Sequence, residues 1–318
     1  MQVATAAGET VFASSEGLYE GVYTFDSYTG PLLGALTPFI WAFAAHRGCG
    51  VVLYSLGCTL VGTASDASEM LQLLSQPGPE ERVKRPELST TAATQAIEWW
   101  TQRLNTMFGI LTDPAVFTDS HGLYQPAKHL RALLTIEQLF RRVYSIQTTH
   151  RDASARRVLL FTVLDTLHSL TNHALVKNCD PDFAKETLEW LRLQIPGPAA
   201  EILLPAAERA VAALERIRDG FFLGVTPDGN RIRLMHPQGD AEEITLSQAS
   251  ARYVELLRNA THGHGTIKAN QVDNINALLA QHRGHLPHDL ALVGYLYLLE
   301  ALTRPDILRK NLYRNGKA

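Results

Sequence analysis

The chain holds little cysteine: Cys49, Cys58 and Cys179 form an odd set with no Cys-x-x-Cys spacing. That excludes a disulfide framework or a cysteine zinc site as the organiser of the fold, and a reducing, cytoplasmic setting is the simplest expectation. A dominant charge is missing as well. The net charge is -3 and the pI about 6.5, so any binding to nucleic acid or to an anionic membrane has to come from a local patch. Met1 to Glu9 lacks the basic flank and apolar run of a secretory signal, and export is not expected. Long unbroken hydrophobic runs are also scarce. Ser27 to Ala45 and Gly48 to Ser65 are uncharged and nearly long enough to span a membrane, but Pro31, Gly34 and Pro38 interrupt the first, and Gly48, Gly50, Gly57 and Gly62 the second. They read as a buried helix on a buried hairpin, with no membrane partner. A Walker-type phosphate loop, a nucleophile elbow, a dinucleotide fingerprint and a His-Glu-x-x-His motif are all absent from the sequence. The common NTPase, hydrolase and zincin classes therefore lack support.

What is present is ordinary globular material. A chain of 318 residues, 46% hydrophobic and 19% charged, can bury a sizeable core and suggests about two domains. The stretch Ser75 to Pro86 is charged and rich in proline and glycine, which marks a linker. Three parts result: a small mixed α+β region over 1–75, a linker over 76–90 and a helical domain over 91–318. In the first part, strands are expected at Val51 to Leu56 and Cys58 to Thr63, and a helix from about Asp66 to Leu74. After the linker, helical spacing dominates.

Ser89 or Thr90 can cap a helix running through Trp99, Trp100, Leu104 and Phe108. Ala127 to Ile146 predicts a second helix, and Asp152 begins a third carrying Leu160, Val163, Leu164 and Leu167, the two forming an antiparallel pair. Asp180-Pro181 is a cap followed by proline at the first helical position, and that helix should end before Pro196. The next spans Pro198 to Asp219 and stops at Gly220, read as a left-handed cap. Phe221 to Thr226 and Arg231 to Met235 flank the turn residues Pro227-Asp228-Gly229-Asn230, which predicts an inserted β-hairpin. Ser247 caps a helix reaching His262. A short helix over Gln271 to Ala280 and an apolar helix from Pro287 or His288 complete the expected set.

Chemistry concentrates in Leu257-Arg258-Asn259-Ala260-Thr261-His262-Gly263-His264-Gly265. Arg258 is a permanent cation with a planar fork of donors suited to phosphate, while His262 and His264 can exchange a proton near neutrality. Helical spacing puts Glu255, Arg258, Asn259 and His262 on a polar stripe opposite Tyr253, Leu256, Leu257 and Ala260. Gly263 then lets the chain leave the helix and carries His264 past its C-terminal end.

This stretch resembles the HEPN superfamily (higher eukaryotes and prokaryotes nucleotide-binding), helical bundles with an Arg, four to six intervening residues and a His near the end of a late helix. Five residues separate Arg258 from His264, and Asn259 stands where the family commonly has a polar residue; Arg258 and His262 are separated by only three. The resemblance covers about 127–308. It implies a mainly α, HEPN-like helical bundle and a metal-independent endoribonuclease or RNA-binding effector, often a toxin or antiphage protein, that works as a homodimer and needs no cofactor. His264, or else His262, would be the general base; Arg258 would stabilise charge on phosphorus; Asn259 would orient substrate or histidine. The small N-terminal region would meet a regulatory partner. The alternative is a noncatalytic helical protein that uses the same bundle for dimerisation or partner binding.

Two further groups complete the sequence reading. Lys128, Arg131, Arg141, Arg142, Arg151, Arg156 and Arg157 are opposed within their stretch only by Glu137 and Asp152, a patch fit for an RNA backbone or for an ordinary solvated face. His282, His285 and His288 beside Asp289 have the chemistry of metal ligands, and a metal-dependent hydrolase is the weaker alternative they allow. Pro287 and Gly284 prevent one helical face from presenting all three, so no metal site is assigned. Asp289 is expected instead to help cap the following helix. Trp99, Trp100, Tyr295 and Tyr297 sit among apolar neighbours and read as core anchors.

Overall fold

The computed structural model of the protein describes residues 2–4, 10–12, 51–55, 58–62, 90–148, 153–235, 241–262 and 287–314. Helices dominate the described residues. They are α1 (Thr90–Thr112), α2 (Pro126–Thr148), α3 (Ala153–Thr171), α4 (Leu175–Asn178), α5 (Pro181–Gln194), α6 (Gly197–Asp219), α7 (Leu246–His262), α8 (Val293–Thr303) and α9 (Pro305–Arg314). Short 3-10 turns stand at Pro114–Phe117 and His288–Leu292. The strands make three separate antiparallel pairs: β1 (Gln2–Ala4) with β2 (Thr10–Phe12), β3 (Val51–Ser55) with β4 (Cys58–Gly62), and β5 (Arg231–Met235) with β6 (Ala241–Thr245). The expected strand pair near residue 51 is therefore observed, while β1 and β2 are too short for a period-2 pattern to announce them. The helices expected at 27–45, 66–74 and 271–280, and residues 76–89 of the linker, lie outside the described residues.

The core is organised around α8. Every one of its residues is buried, because the run Val-Gly-Tyr-Leu-Tyr-Leu-Leu-Glu-Ala-Leu-Thr is apolar nearly all round, and such a helix needs neighbours on every side. It finds them in α1, α3, α5, α6 and α9. With 11 residues it is too short for a bilayer, and among the described residues no helix is long and apolar enough to cross a membrane. Tyr295 donates its hydroxyl proton to the carbonyl of Leu203 in α6 at 3.0 Å, and Asn311 in α9 donates to the carbonyl of Leu170 in α3 at 2.8 Å. These bonds tie the central helix and its C-terminal neighbour to the bundle. The expected pairing of α2 with α3 is also present.

Helix ends follow local chemistry. Asp180 accepts from the backbone N–H of Asp182 and of Phe183, and Pro181 opens α5 as anticipated. Three details correct the sequence reading. Gly220 closes α6 at φ -84°, a right-handed conformation, so its flexibility is not needed there. A positive φ that needs glycine falls instead at Gly224, φ +73°, where an added Cβ would stand 2.9 Å from the carbonyl oxygen of Arg233. The cap of α7 is Thr245 and not Ser247. Gln248 N–H donates to Thr245 Oγ1 at 3.1 Å while Thr245 N–H donates to Gln248 Oε1 at 3.0 Å, a reciprocal capping box.

The inserted hairpin is also shifted. The turn at Pro227 to Asn230 forms, with Thr226 N–H donating to Arg231 at 2.8 Å, but the segment before it contributes only the isolated bridge Val225 to Ile232. The main partner of β5 is β6, which pairs Ile232 with Ile244. Those two apolar residues sit on one face and join the core, whereas Thr226, Pro227 and Asp228 offer no apolar alternation to bury.

Candidate functional site

Arg258 and Asn259 lie in the last turns of α7, on the polar side of a helix whose Tyr253, Val254 and Leu257 are buried. Their spacing holds the helix against the bundle by one face and leaves Arg258 half-buried on the other. The guanidinium is engaged on two sides. Its Nε and Nη2 both donate to Oδ2 of Asp165, at 3.2 and 2.8 Å, and Nη1 donates to Asn259 Oδ1 at 3.0 Å. Both bonds from the Nε edge meet one oxygen, so this is not the two-oxygen fork of the strongest arginine-carboxylate pairs.

Asp165 belongs to α3, and its neighbours Phe161, Val163, Leu164 and Leu167 are all buried. The carboxylate is thus fixed by core packing of its own helix. Arg258 and Asp165 keep 28% and 30% of their side chains exposed, which leaves the pair at the rim of the bundle and not inside it. A guanidinium has five N–H groups; after these bonds one hydrogen remains on each terminal nitrogen, and no described residue takes either. Two remaining donors suit an oxyanion.

His262 is the last residue of α7, one helical turn beyond Arg258; its side chain and the whole of His264 lie outside the described residues. Asn259 has its carbonyl oxygen on Arg258, so its observed partner is the arginine. Of the basic cluster, Lys128 lies over the ring of Tyr313 in α9 at 4.0 Å and Arg131 is exposed on α2. Arg141 and Arg142 fall in the C-terminal part of α2, and Arg156 and Arg157 near the start of α3. Their side chains, and Arg151, lie outside the described residues. Arg157 precedes Asp165 by eight positions, which puts it about 12 Å away along the α3 axis.

Of the histidine-rich stretch, His282, His285 and the side chain of His288 lie outside the described residues, and His288 opens the 3-10 turn His288–Leu292. Asp289 caps nothing; it accepts from Nε and Nη2 of Arg209 at 3.2 and 2.6 Å, with Arg216 Nη2 3.6 Å away. It clamps the 3-10 turn to α6. Among the described residues no group of three or more potential metal ligands comes together.

Sequence reasoning missed two things. One is Asp165, a lone acid in an apolar helical run. The other is a polar cluster where the α3–α4 corner meets α8. Glu300 is buried in α8, with Oε1 3.5 Å from Arg304 Nη1 and Oε2 3.4 Å from His173 Nε2, both long for hydrogen bonds. Its Oε2, the hydroxyl of Tyr297 and Oδ1 of Asn178 are buried without hydrogen-bond partners. Asn172, at φ +60°, turns the corner that carries His173, and the His173 ring meets Phe183 and Tyr297 edge-on. The legible signal was Glu300 itself, the one charge in an apolar helix. Cys179, at the end of α4, is fully buried. Burial pushes its thiol well above the ordinary value, and the carboxylates of Asp165 and Glu255 push it further, so it is a neutral thiol and not a nucleophile. Burial likewise raises the Tyr297 phenol, helped by the carboxylates of Glu300 and Asp180.

No family model, curated protein or solved structure matches the chain.

Proposed function

We propose that the chain is a cytoplasmic HEPN-like protein acting on RNA, a metal-independent endoribonuclease or RNA-binding effector. One observation supports this reading above the others: Arg258, near the end of a late helix in a mainly helical protein, is held by Asp165 and Asn259 with two N–H donors left over. A preoriented cation of this kind stabilises charge that develops on phosphorus and needs no reorganisation during the reaction. His264, or else His262, would take the proton from a ribose 2'-hydroxyl. The 2'-oxygen would then bond to phosphorus as the bond to the 5'-oxygen breaks, the leaving oxygen gaining a proton and a 2',3'-cyclic phosphate remaining. The cations of α2 and α3 would hold the RNA backbone, and two copies would face each other across the cleft. The N-terminal region would receive a regulatory partner.

The test is cleavage of RNA by purified protein in EDTA. Wild-type protein should cut, and Arg258→Ala should lose about 100-fold or more, the scale for removing one transition-state donor. Activity that survives Arg258→Ala, or that depends on a divalent metal, would sink the mechanism. A second reading, a noncatalytic bundle for dimerisation or partner binding, is favoured by the same ion pair, since Arg258 also ties α7 to α3. Inactivity on every RNA tested, together with a stable oligomer on a sizing column, would select it.

A further inference from the structure

We infer that Asp165 is a positioning residue, which turns the guanidinium of Arg258 so that its remaining N–H donors receive one phosphate-type oxyanion. This rests on the reading of Arg258 as the phosphate-binding residue and adds how that residue is aimed. An arginine side chain has several rotatable bonds and about 2 kcal/mol of rotamer entropy, so an unrestrained arginine at a helix end would present its donors in many directions. Here that freedom is removed from two sides. Asp165 takes the Nε edge at 3.2 and 2.8 Å, and Asn259 takes one Nη1 hydrogen at 3.0 Å. Two hydrogens are left over: the one on Nη2 lies on the edge opposite the side chain stem, and one remains on Nη1, so the guanidinium keeps two donors for the oxygens of a phosphate-type group.

The anchor is rigid because it stands on packed helices: Asp165 among Phe161, Val163, Leu164 and Leu167, and Arg258 beside Leu257 and one turn after Val254, all of them buried. Side chains supported in this way hold a binding geometry better than side chains on loops. Partial exposure of both members, 28% and 30%, leaves room for the ligand.

Two roles are separable here, because Asp165 supplies both an oxygen atom in a set place and a negative charge. Asp165→Asn keeps an acceptor oxygen and drops the charge; Asp165→Glu keeps the charge and moves the oxygen by one methylene. The probe is a fluorescently labelled 2'-O-methyl oligoribonucleotide, which binds as RNA does but has no 2'-hydroxyl to attack, read by anisotropy at low salt. Positioning requires Asp165→Asn to bind as tightly as wild type or tighter, and Asp165→Glu to weaken binding about tenfold, the scale of one lost hydrogen bond to a charged group. Wild-type affinity in Asp165→Glu, or a tenfold loss in Asp165→Asn, would overturn the proposal, and each variant decides independently if the other fails to fold. Arg258→Ala separates the two levels. If it binds like wild type, the phosphate reading of Arg258 is wrong; if it loses binding while Asp165→Glu does not, only the positioning role is wrong. If the oligonucleotide binds through Arg258 and natural RNA is left intact, the nuclease reading fails and the positioning role stands.

Discussion

Arg258 joins α7 to α3 through a half-exposed ion pair, and the stability of such a pair is modest. Arg258→Ala should cost about 1 kcal/mol, the upper end for pairs that water still reaches, measured by urea unfolding. A much larger loss would mean that the residue serves the fold before it serves a ligand. Gly224 is different in kind, because its φ of +73° and the 2.9 Å approach of the Arg233 carbonyl leave no place for a Cβ. Gly224→Ala should destabilise by more than about 1 kcal/mol, and an unchanged midpoint would show that the turn relaxes. Cys179 shows why a residue type alone is a poor guide to chemistry: its thiol is fully buried and held neutral beside Asp165 and Glu255. Iodoacetamide should leave the Cys179 peptide unlabelled in folded protein and modify it in urea, as read by peptide mass spectrometry. Rapid labelling of the folded chain would contradict the observed burial.

Elements were legible in the sequence in proportion to the length of their pattern. The long helices α1, α2, α3, α5, α6 and α7 announce themselves through apolar positions repeated over many turns, and their observed bounds lie close to those expected. Pairing of strands was harder. A local turn signal at Pro227 to Asn230 marked a hairpin, yet β5 chose β6 because burying Ile232 against Ile244 outweighs proximity along the chain. The cap of α7 was misread by two residues, since only reciprocal bonding distinguishes Thr245 from Ser247 as the N-cap. Thr245→Ala should therefore lose about 1 kcal/mol, and an unchanged unfolding midpoint would argue against the capping box. In α8 the two phenols make a pH prediction. Burial holds Tyr295 and Tyr297 above the ordinary tyrosine value of 10.0, so the folded state keeps them protonated where the unfolded chain would ionise them. Their contribution to stability is complete below pH 10.0 and is lost as the pH rises beyond it. Phenolate absorbance from these two should appear only together with loss of helical circular dichroism; ionisation in an intact fold would refute the sign.

For the whole molecule, net charge offers RNA no general attraction, so binding should depend on the basic cluster between residues 128 and 157 and respond to salt. If Arg141, Arg142, Arg151, Arg156 and Arg157 each meet one phosphate of a single strand, affinity should fall about 100-fold between about 50 and about 200 mM salt. A flat response would remove the basic patch from the proposal. The candidate site was half legible. Arg258, Asn259 and the two histidines stand together in the chain, so local spacing sufficed to select them, whereas Asp165 lies 93 positions before Arg258 and nothing local connects the two. Glu300 and His173 are likewise separated by most of the helical region. By itself the sequence determined the mainly helical class, where the long helices run and that α8 must be enclosed, because each of these follows from the periodic burial of side chains along one element. Only the tertiary structure decided which strand pairs with β5, which acid holds Arg258 and which polar groups surround Glu300, because those choices depend on contacts between segments that are distant in the chain and adjacent only after folding.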